Sequence, residues 1–274
     1  MSDDLQLRSE ARRRFRPFAE FLVALRFLTR LPVPFLRTLD PPPLHSAMGM
    51  FPVAGALVGA MTGGVLVLSH LAGLPELFCA VLALSAGALV TGAFHEDGLS
   101  DMADGFGGGN TREQRLDIMR DSRIGAYGAL ALCLSTLAKA SLFTALLDLP
   151  PLGTICLLAA ASAFSRALMV DLLWATRPAR NDGLSVMAGR PSRSTTLEAL
   201  AIGGIAAGAA GALVLAPAAA AVSLIAGGVA LAIVRAVAMS KIGGQTGDVC
   251  GAGQVVAEIA MLAVYAATIS LPTI

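Results

Sequence analysis

Apolar residues run along most of this chain in blocks too continuous for half-buried strands and too long for one face of a soluble helix. The blocks cover 48–71, 77–94, 126–147, 152–174, 197–215, 218–234 and 255–271. Each approaches or exceeds the roughly 20 residues that carry a helix across hydrocarbon. The pattern predicts an all-α fold, a polytopic integral membrane helical bundle of about seven transmembrane helices. The pair 197–215 and 218–234, divided only by Ala216 and Pro217, is rich in Ala and Gly, a composition compatible with short or broken helices.

The polar breaks between blocks alternate in charge. Those after the first, third and fifth blocks are short and carry neither Lys nor Arg. Those after the second, fourth and sixth carry Arg112, Arg115, Arg120 and Arg123, then Arg177, Arg180, Arg190 and Arg193, then Arg235 and Lys241. With Arg8, Arg12, Arg13, Arg14 and Arg16 ahead of the first block, the positive-inside rule puts the N-terminus and all the polar motifs in the cytoplasm. Residues 1–17 read as a mobile Arg-rich tail without a signal peptide, and 18–274 as one membrane-embedded catalytic domain. Phe18, Phe21, Leu22, Leu25 and Leu28 share one helical face, which predicts an N-terminal amphipathic helix lying at the lipid interface. A short extra core helix would show the same pattern.

Composition narrows the function classes. At 55% hydrophobic, 14% charged and mean hydropathy +0.72, the chain is a lipid bilayer protein; at net charge +1, it has no electrostatic footprint for nucleic acid. Cys79, Cys133, Cys156 and Cys250 have no metal-ligand spacing and read as small hydrophobes. Lys139, Arg166, Asp171 and Glu258 fall inside apolar blocks, where lipid contact would cost a few kcal/mol each, so they are expected to face the bundle interior. Pairing with one another and contact with substrate are both open for them.

One stretch stands apart: HEDGLSDMADGFGGGN, from His95 to Asn110. If the second block continues as a helix, Asp97, Asp101 and Asp104 fall at i, i+4 and i+7 on one stripe. No Lys or Arg occurs between Thr38 and Thr111 to neutralise them. Two carboxylates ~5 Å apart repel by roughly 3 kcal/mol at an effective dielectric near 20, so a divalent cation is the simplest partner. All-oxygen ligands with open positions suit Mg²⁺ and phosphate chemistry. Downstream, Asp117 and Asp121 alternate with Arg120 and Arg123, either a solvated helix face or the cationic half of a diphosphate site. KIGGQTGDVCGA, from Lys241 to Ala252, adds Gln245, Thr246 and Asp248 in what reads as a binding loop.

In this order, TRLPVP, FPVAG, TGAFHEDGLSDMADG, MRDSRIGAYG and GGQTGDVCGA resemble the cobalamin synthase family, whose systematic name is adenosylcobinamide-GDP ribazoletransferase. The likeness spans about 29–258, with no motif over 196–234, and Ser100 stands where that pattern has Ala. The resemblance implies a Mg²⁺-dependent membrane enzyme. A ribose hydroxyl of α-ribazole, or of its 5′-phosphate, attacks adenosylcobinamide-GDP and expels GMP. On this footing Asp97, Asp101 and Asp104 are assigned to Mg²⁺, with Asp121 and Asp248 completing the site. Arg120, Asp121, Ser122, Arg123, Arg177, Arg180, Gln245 and Thr246 are assigned to substrate. His95 either takes the attacking hydroxyl's proton or orients an aspartate, and a carboxylate could serve as base instead. A homo-oligomer, or contact with other corrinoid-pathway enzymes, is compatible with the sequence but has no motif of its own. The rival readings are a CDP-alcohol phosphotransferase, which Asp101, Asp104, Gly105, Asp117 and Asp121 resemble loosely, a prenyltransferase that binds Mg-diphosphate, and a transporter built on the midplane charges.

Overall fold

The computed structural model describes residues 17–33 and 41–270, and within them the fold is helical. The predicted tail lies outside the described residues except for Pro17, which opens α1 (Pro17–Leu28). Two single turns then lead into α2 (Phe51–Leu71), followed by α3 (Glu76–Thr91), α4 (Phe94–Gly108), the short α5 (Arg112–Ile118) and α6 (Ala126–Ala145). The chain continues with α7 (Pro151–Ala175), the short α8 (Leu184–Ala188), α9 (Arg193–Val214), α10 (Pro217–Ile242) and α11 (Gly247–Ser270). Six helices among the described residues are long and apolar enough to cross a membrane, and the bent pair α3–α4 would make a seventh span.

The Ala/Gly-rich region resolves into two unbroken helices. Leu215 and Ala216 turn the chain, and Pro217 starts α10 at a position where its missing N–H is not needed. Lipid-facing and core-facing residues separate cleanly. On α6, Leu130, Leu134 and Leu137 are all more than half exposed and share one face, as expected of a surface whose solvent is lipid. On α7, buried residues lie all around the helix, so α7 is the centre of the bundle.

Glycine sets the closest contact. Gly55, Gly59 and Gly63 repeat every fourth residue on α2, and a Cβ at Gly55 would come 2.5 Å from the Ser162 carbonyl oxygen of α7. Without a hydrophobic drive in lipid, such backbone-to-backbone seams supply the packing that holds spanning helices together.

Helix α1 docks on the bundle. Leu25 and Leu28 join a core with Met48 and Phe51 beside α2, leaving Phe18 65% exposed. The α1 face predicted to lie on lipid is thus divided, its C-terminal half belonging to the core.

Candidate active site

The acidic stretch does not continue the second span. Gly92 (φ 69°) and Ala93 (φ 56°) are both left-handed, and α4 leaves α3 at 91°. Ala in that region costs roughly 1–2 kcal/mol, so the break is held from outside. The holders come from the TRLPVP motif and the end of α1 just before it: the Arg30 backbone N–H donates to the Val90 carbonyl at 2.7 Å, the Arg30 guanidinium lies against Gly92, and Phe27 meets Phe94 edge-on at 5.7 Å. Helix α4 ends at Gly108, within the glycine run GFGGGN.

Helix α4 crosses α11 at two glycines. A Cβ on Gly98 would lie 2.9 Å from the Asp248 carbonyl oxygen, and one on Gly251 would lie 3.2 Å from the His95 backbone. Glycine in a helix costs about 1 kcal/mol relative to Ala. Here it allows the crossing that sets Asp97 and Asp101 against Asp248. Burial first, then the charges of Asp97, Asp248 and Asp104, push the Asp101 carboxyl up to about 7, against the opposing pull of Arg180.

Arg180 is the cation at this acidic group. Its side chain is 15% exposed, Nη2 lies 3.8 Å from Asp248 Oδ2, and Nη1 is buried without a hydrogen-bond partner. Thr246 donates its hydroxyl to the same Asp248 oxygen at 3.1 Å and accepts the Val249 N–H, capping α11. The loop predicted over 241–252 is correspondingly shorter, with four residues (Gly243 to Thr246) between α10 and α11. Gln245 is buried there as part of a short bridge to Arg177–Ala179: its N–H donates to the Arg177 carbonyl at 2.9 Å, and its carbonyl accepts from Ala179 at 2.8 Å. The Gln245 backbone and the Thr246 hydroxyl are thus engaged in building the loop, while the Gln245 side-chain oxygen meets the Cys250 thiol at 3.7 Å.

Other assigned residues lie elsewhere. Asp104 accepts the Gly125 and Gly128 N–H groups at 2.8 Å each, so this carboxylate caps the N-terminus of α6, while its charge still reaches Asp101. Gly125 and Gly128 are required beside it, because a Cβ on either would run into the Asp104 carboxylate. Asp121 pairs with Arg123, Oδ2 to Nη2 at 2.5 Å, and those hydrogen bonds hold its carboxyl down to about 2. Asp121 and Asp104 line one open hollow with Gly125 and Tyr127, and Ser122 is exposed nearby. Arg120 binds Asp182 at 2.6 and 2.7 Å, and Arg177 donates to the Gly243 carbonyl at 3.0 Å. Arg112 and Arg115 also end on carbonyls at the end of α10, Ile242 and Lys241, where cations offset the helix dipole. Much of the basic charge legible in the sequence therefore closes helix ends.

His95 faces the other way. It is 1% exposed and lines a cavity of about 50 Å³ inside the bundle with Glu96, Lys139, Arg166, Gln254 and Glu258, its Nε2 unpartnered. Lys139, Arg166 and Glu258 thus face the interior as predicted. Among the described residues no three His, Cys, Asp or Glu side chains converge on a common metal-sized centre. Asp97 and Asp248 instead lie within electrostatic reach of Asp101 without sharing one centre, and the group is faced by one guanidinium with a free donor. Such a group can take up a cation together with an anionic oxygen ligand. The sequence pointed to the aspartates and placed Arg180 among eight substrate residues, but not to the glycine crossing; a glycine three residues from a carboxylate on each helix, Gly98 from Asp101 and Gly251 from Asp248, was the available signal for it.

The chain matches the family model described as cobalamin-5-phosphate synthase over residues 20–266. A protein of Azorhizobium caulinodans named adenosylcobinamide-GDP ribazoletransferase is 42% identical over 258 residues, 91% of this chain and 96% of the relative. Proteins of the same name from Mesorhizobium japonicum and Bradyrhizobium diazoefficiens are 45% and 43% identical, covering 90% and 91% of this chain and 93% and 94% of their own lengths. No solved structure matches the chain.

Proposed function

The chain belongs to the cobalamin-5-phosphate synthase family, and from that premise we propose how its site transfers the adenosylcobinamide-phosphate group of adenosylcobinamide-GDP to α-ribazole or α-ribazole 5′-phosphate. The acceptor hydroxyl forms a new P–O bond to the cobinamide-side phosphorus. The bond from that phosphorus to the bridging oxygen breaks, and GMP leaves with the oxygen and its electron pair. The products are adenosylcobalamin, or its 5′-phosphate, and GMP. The observation that carries this reading is the group of Asp97, Asp101 and Asp248 met by the unpartnered donor of Arg180. The phospholipid-synthase and transporter readings lose their support with the family assignment.

The donor set suits Mg²⁺, which commonly takes one or two carboxylates and fills its other positions with water and substrate phosphate. Asp97 and Asp248 would hold it. When bound, the ion neutralises charge on the diphosphate and on departing GMP. Arg180 binds the non-bridging oxygens through the donor it has free. Asp101 takes the proton of the attacking hydroxyl at its carboxylate, a role that fits a group whose environment raises it to about 7. His95 lines the interior cavity, and this reading gives it no proton to take. The arginines gathered at this end of the bundle support a site on the cytoplasmic side of the bacterial inner membrane.

Purified protein in lipid, given adenosylcobinamide-GDP, Mg²⁺ and α-ribazole, is expected to release GMP and to release none when acceptor or metal is withheld. Equal GMP release without acceptor would make it a hydrolase and refute the reading. The pH dependence has a definite sign. Asp101 is protonated and idle below its pKa, so kcat/KM should climb about tenfold per pH unit on the acid side and level off near 7 in the absence of strong metal binding. Saturating Mg²⁺ should move that bend to lower pH, since a nearby cation favours the ionised carboxylate. A flat profile between pH 5.5 and 8 would remove Asp101 as base.

A further inference from the structure

Inside the bundle, Lys139 of α6 places its ammonium 2.7 Å from Glu258 Oε2 of α11 and 3.6 Å from Glu96 Oε1 of α4. One buried cation thus touches both helices that bring carboxylates to the site, because Glu96 precedes Asp97 and Glu258 shares α11 with Asp248. Arg166 of α7 stands beside them, donating to the Ser162 carbonyl at 3.0 Å, and two cations balance two carboxylates around the cavity. A balanced set needs no external ion. Three buried polar atoms along it have no protein partner: His95 Nε2, Glu96 Oε2 and Arg166 Nε. A cavity of about 50 Å³ has room for water to serve them, since one water needs roughly 10–15 Å³ by the same measure.

Helix α4 needs such a fastening. The left-handed residues Gly92 and Ala93 uncouple its direction from α3, so its place against α11 depends on side contacts. The glycine crossing at Gly98 and Gly251 fixes how near the helices come, and beside it Leu99 and Met102 of α4 pack against Ala252 and Val255 of α11 in a non-directional apolar contact. Gly251, Gln254 and Glu258 lie on one face of α11, so the bridge extends that crossing by two turns and adds a directional restraint to the apolar one.

We propose that Lys139 is a positioning residue for the transfer reaction: by bridging Glu96 and Glu258 it sets Asp97 and Asp101 in register with Asp248. This rests on the functional reading above. Its role in register, however, is measurable without any substrate.

Glu96→Gln detaches only the α4 arm and leaves the Lys139–Glu258 pair in place. Lys139→Met with Glu258→Met removes the bridge while keeping Glu96 and Arg166 in balance, which protects the fold against an unpaired buried charge. In both, amides of α4 should exchange hydrogen at least tenfold faster than in the wild type, with α7 unchanged. The kcat should fall tenfold or more, with KM for adenosylcobinamide-GDP moving less than threefold. A bridge that serves only general stability predicts faster exchange in α7 as well, and that result overturns the proposal. So does wild-type protection of α4 in both variants, whatever the protein catalyses, and so does faster α4 exchange with wild-type kcat. Should the wild-type protein make no GMP, the functional reading fails, while the exchange comparison still decides whether the bridge holds α4.

Discussion

Asp101→Asn protein will insert in the membrane and fold, yet release GMP at least ~10²–10⁴-fold more slowly than the wild type, the range spanned by loss of a general base. The substitution is nearly isosteric and removes a charge from a cluster in which Asp97, Asp248 and Asp104 already oppose it. Stability should therefore hold or rise slightly, which separates the chemical effect from misfolding. The same variant discriminates between two jobs for the residue. If Asp101 is the base and Asp97 and Asp248 hold the ion, half-saturating Mg²⁺ changes less than threefold in Asp101→Asn and more than tenfold in Asp97→Asn or Asp248→Asn. Restoration of turnover in Asp101→Asn by high Mg²⁺ would return Asp101 to the metal and leave the base unassigned. Near-normal GMP release would remove the residue from the chemistry altogether.

The membrane fold was legible because lipid makes a harsh sorting rule: long apolar blocks, charged breaks on one side only and interior-facing ionisable residues all follow from the cost of exposing polar groups to hydrocarbon. Helix boundaries were less so. Periodicity carried the second span straight into the acidic stretch. The break came from two successive left-handed residues held by Arg30 and Phe27, about 60 residues upstream. Asp97, Asp101 and Asp104 do fall on adjacent turns, yet Asp104 is claimed by the N-terminus of α6, a long-range use that no local spacing reveals. The basic residues misled for a related reason. A count of arginines near aspartates reads as a phosphate clamp, but a guanidinium can equally satisfy a carbonyl at a helix end, and Arg112, Arg115 and Arg177 do so. What distinguishes a binding arginine is a donor left over after the fold has taken its share, and that can only be counted in three dimensions.

At the acidic group that count singles out Arg180, the other buried unpartnered guanidinium donor among the described residues, Arg166 Nε, lying at the interior cavity. Arg120 and Arg123 are the arginines that the sequence places beside the acidic motif, but each already faces a carboxylate, Asp182 and Asp121, and Arg123 is 87% exposed in water. An exposed ion pair contributes at most about 1 kcal/mol and is easily exchanged for solvent. Arg180 has a buried Nη1 without a partner and only long contacts, 3.7 Å to Asp182 and 3.8 Å to Asp248. An unmet charged donor in a closed site is costly to leave so, and two diphosphate oxygens would satisfy it in the fork geometry that guanidinium offers. Arg180→Ala should therefore lower kcat/KM by roughly 10²–10³, the scale of losing one preorganised donor to developing negative charge. Arg180→Lys should recover only part of that, since an ammonium is a point charge without the fork. Arg120→Ala and Arg123→Ala should each cost less than about threefold, as for other exposed pairs. A second readout follows from sign alone. Arg180 pulls the Asp101 carboxyl down, so its removal should carry the acid limb of the pH profile upward. If Arg123→Ala proves the more damaging variant, or the acid limb of Arg180→Ala stays in place, then the diphosphate lies in the open hollow beside Tyr127 and not against Asp248.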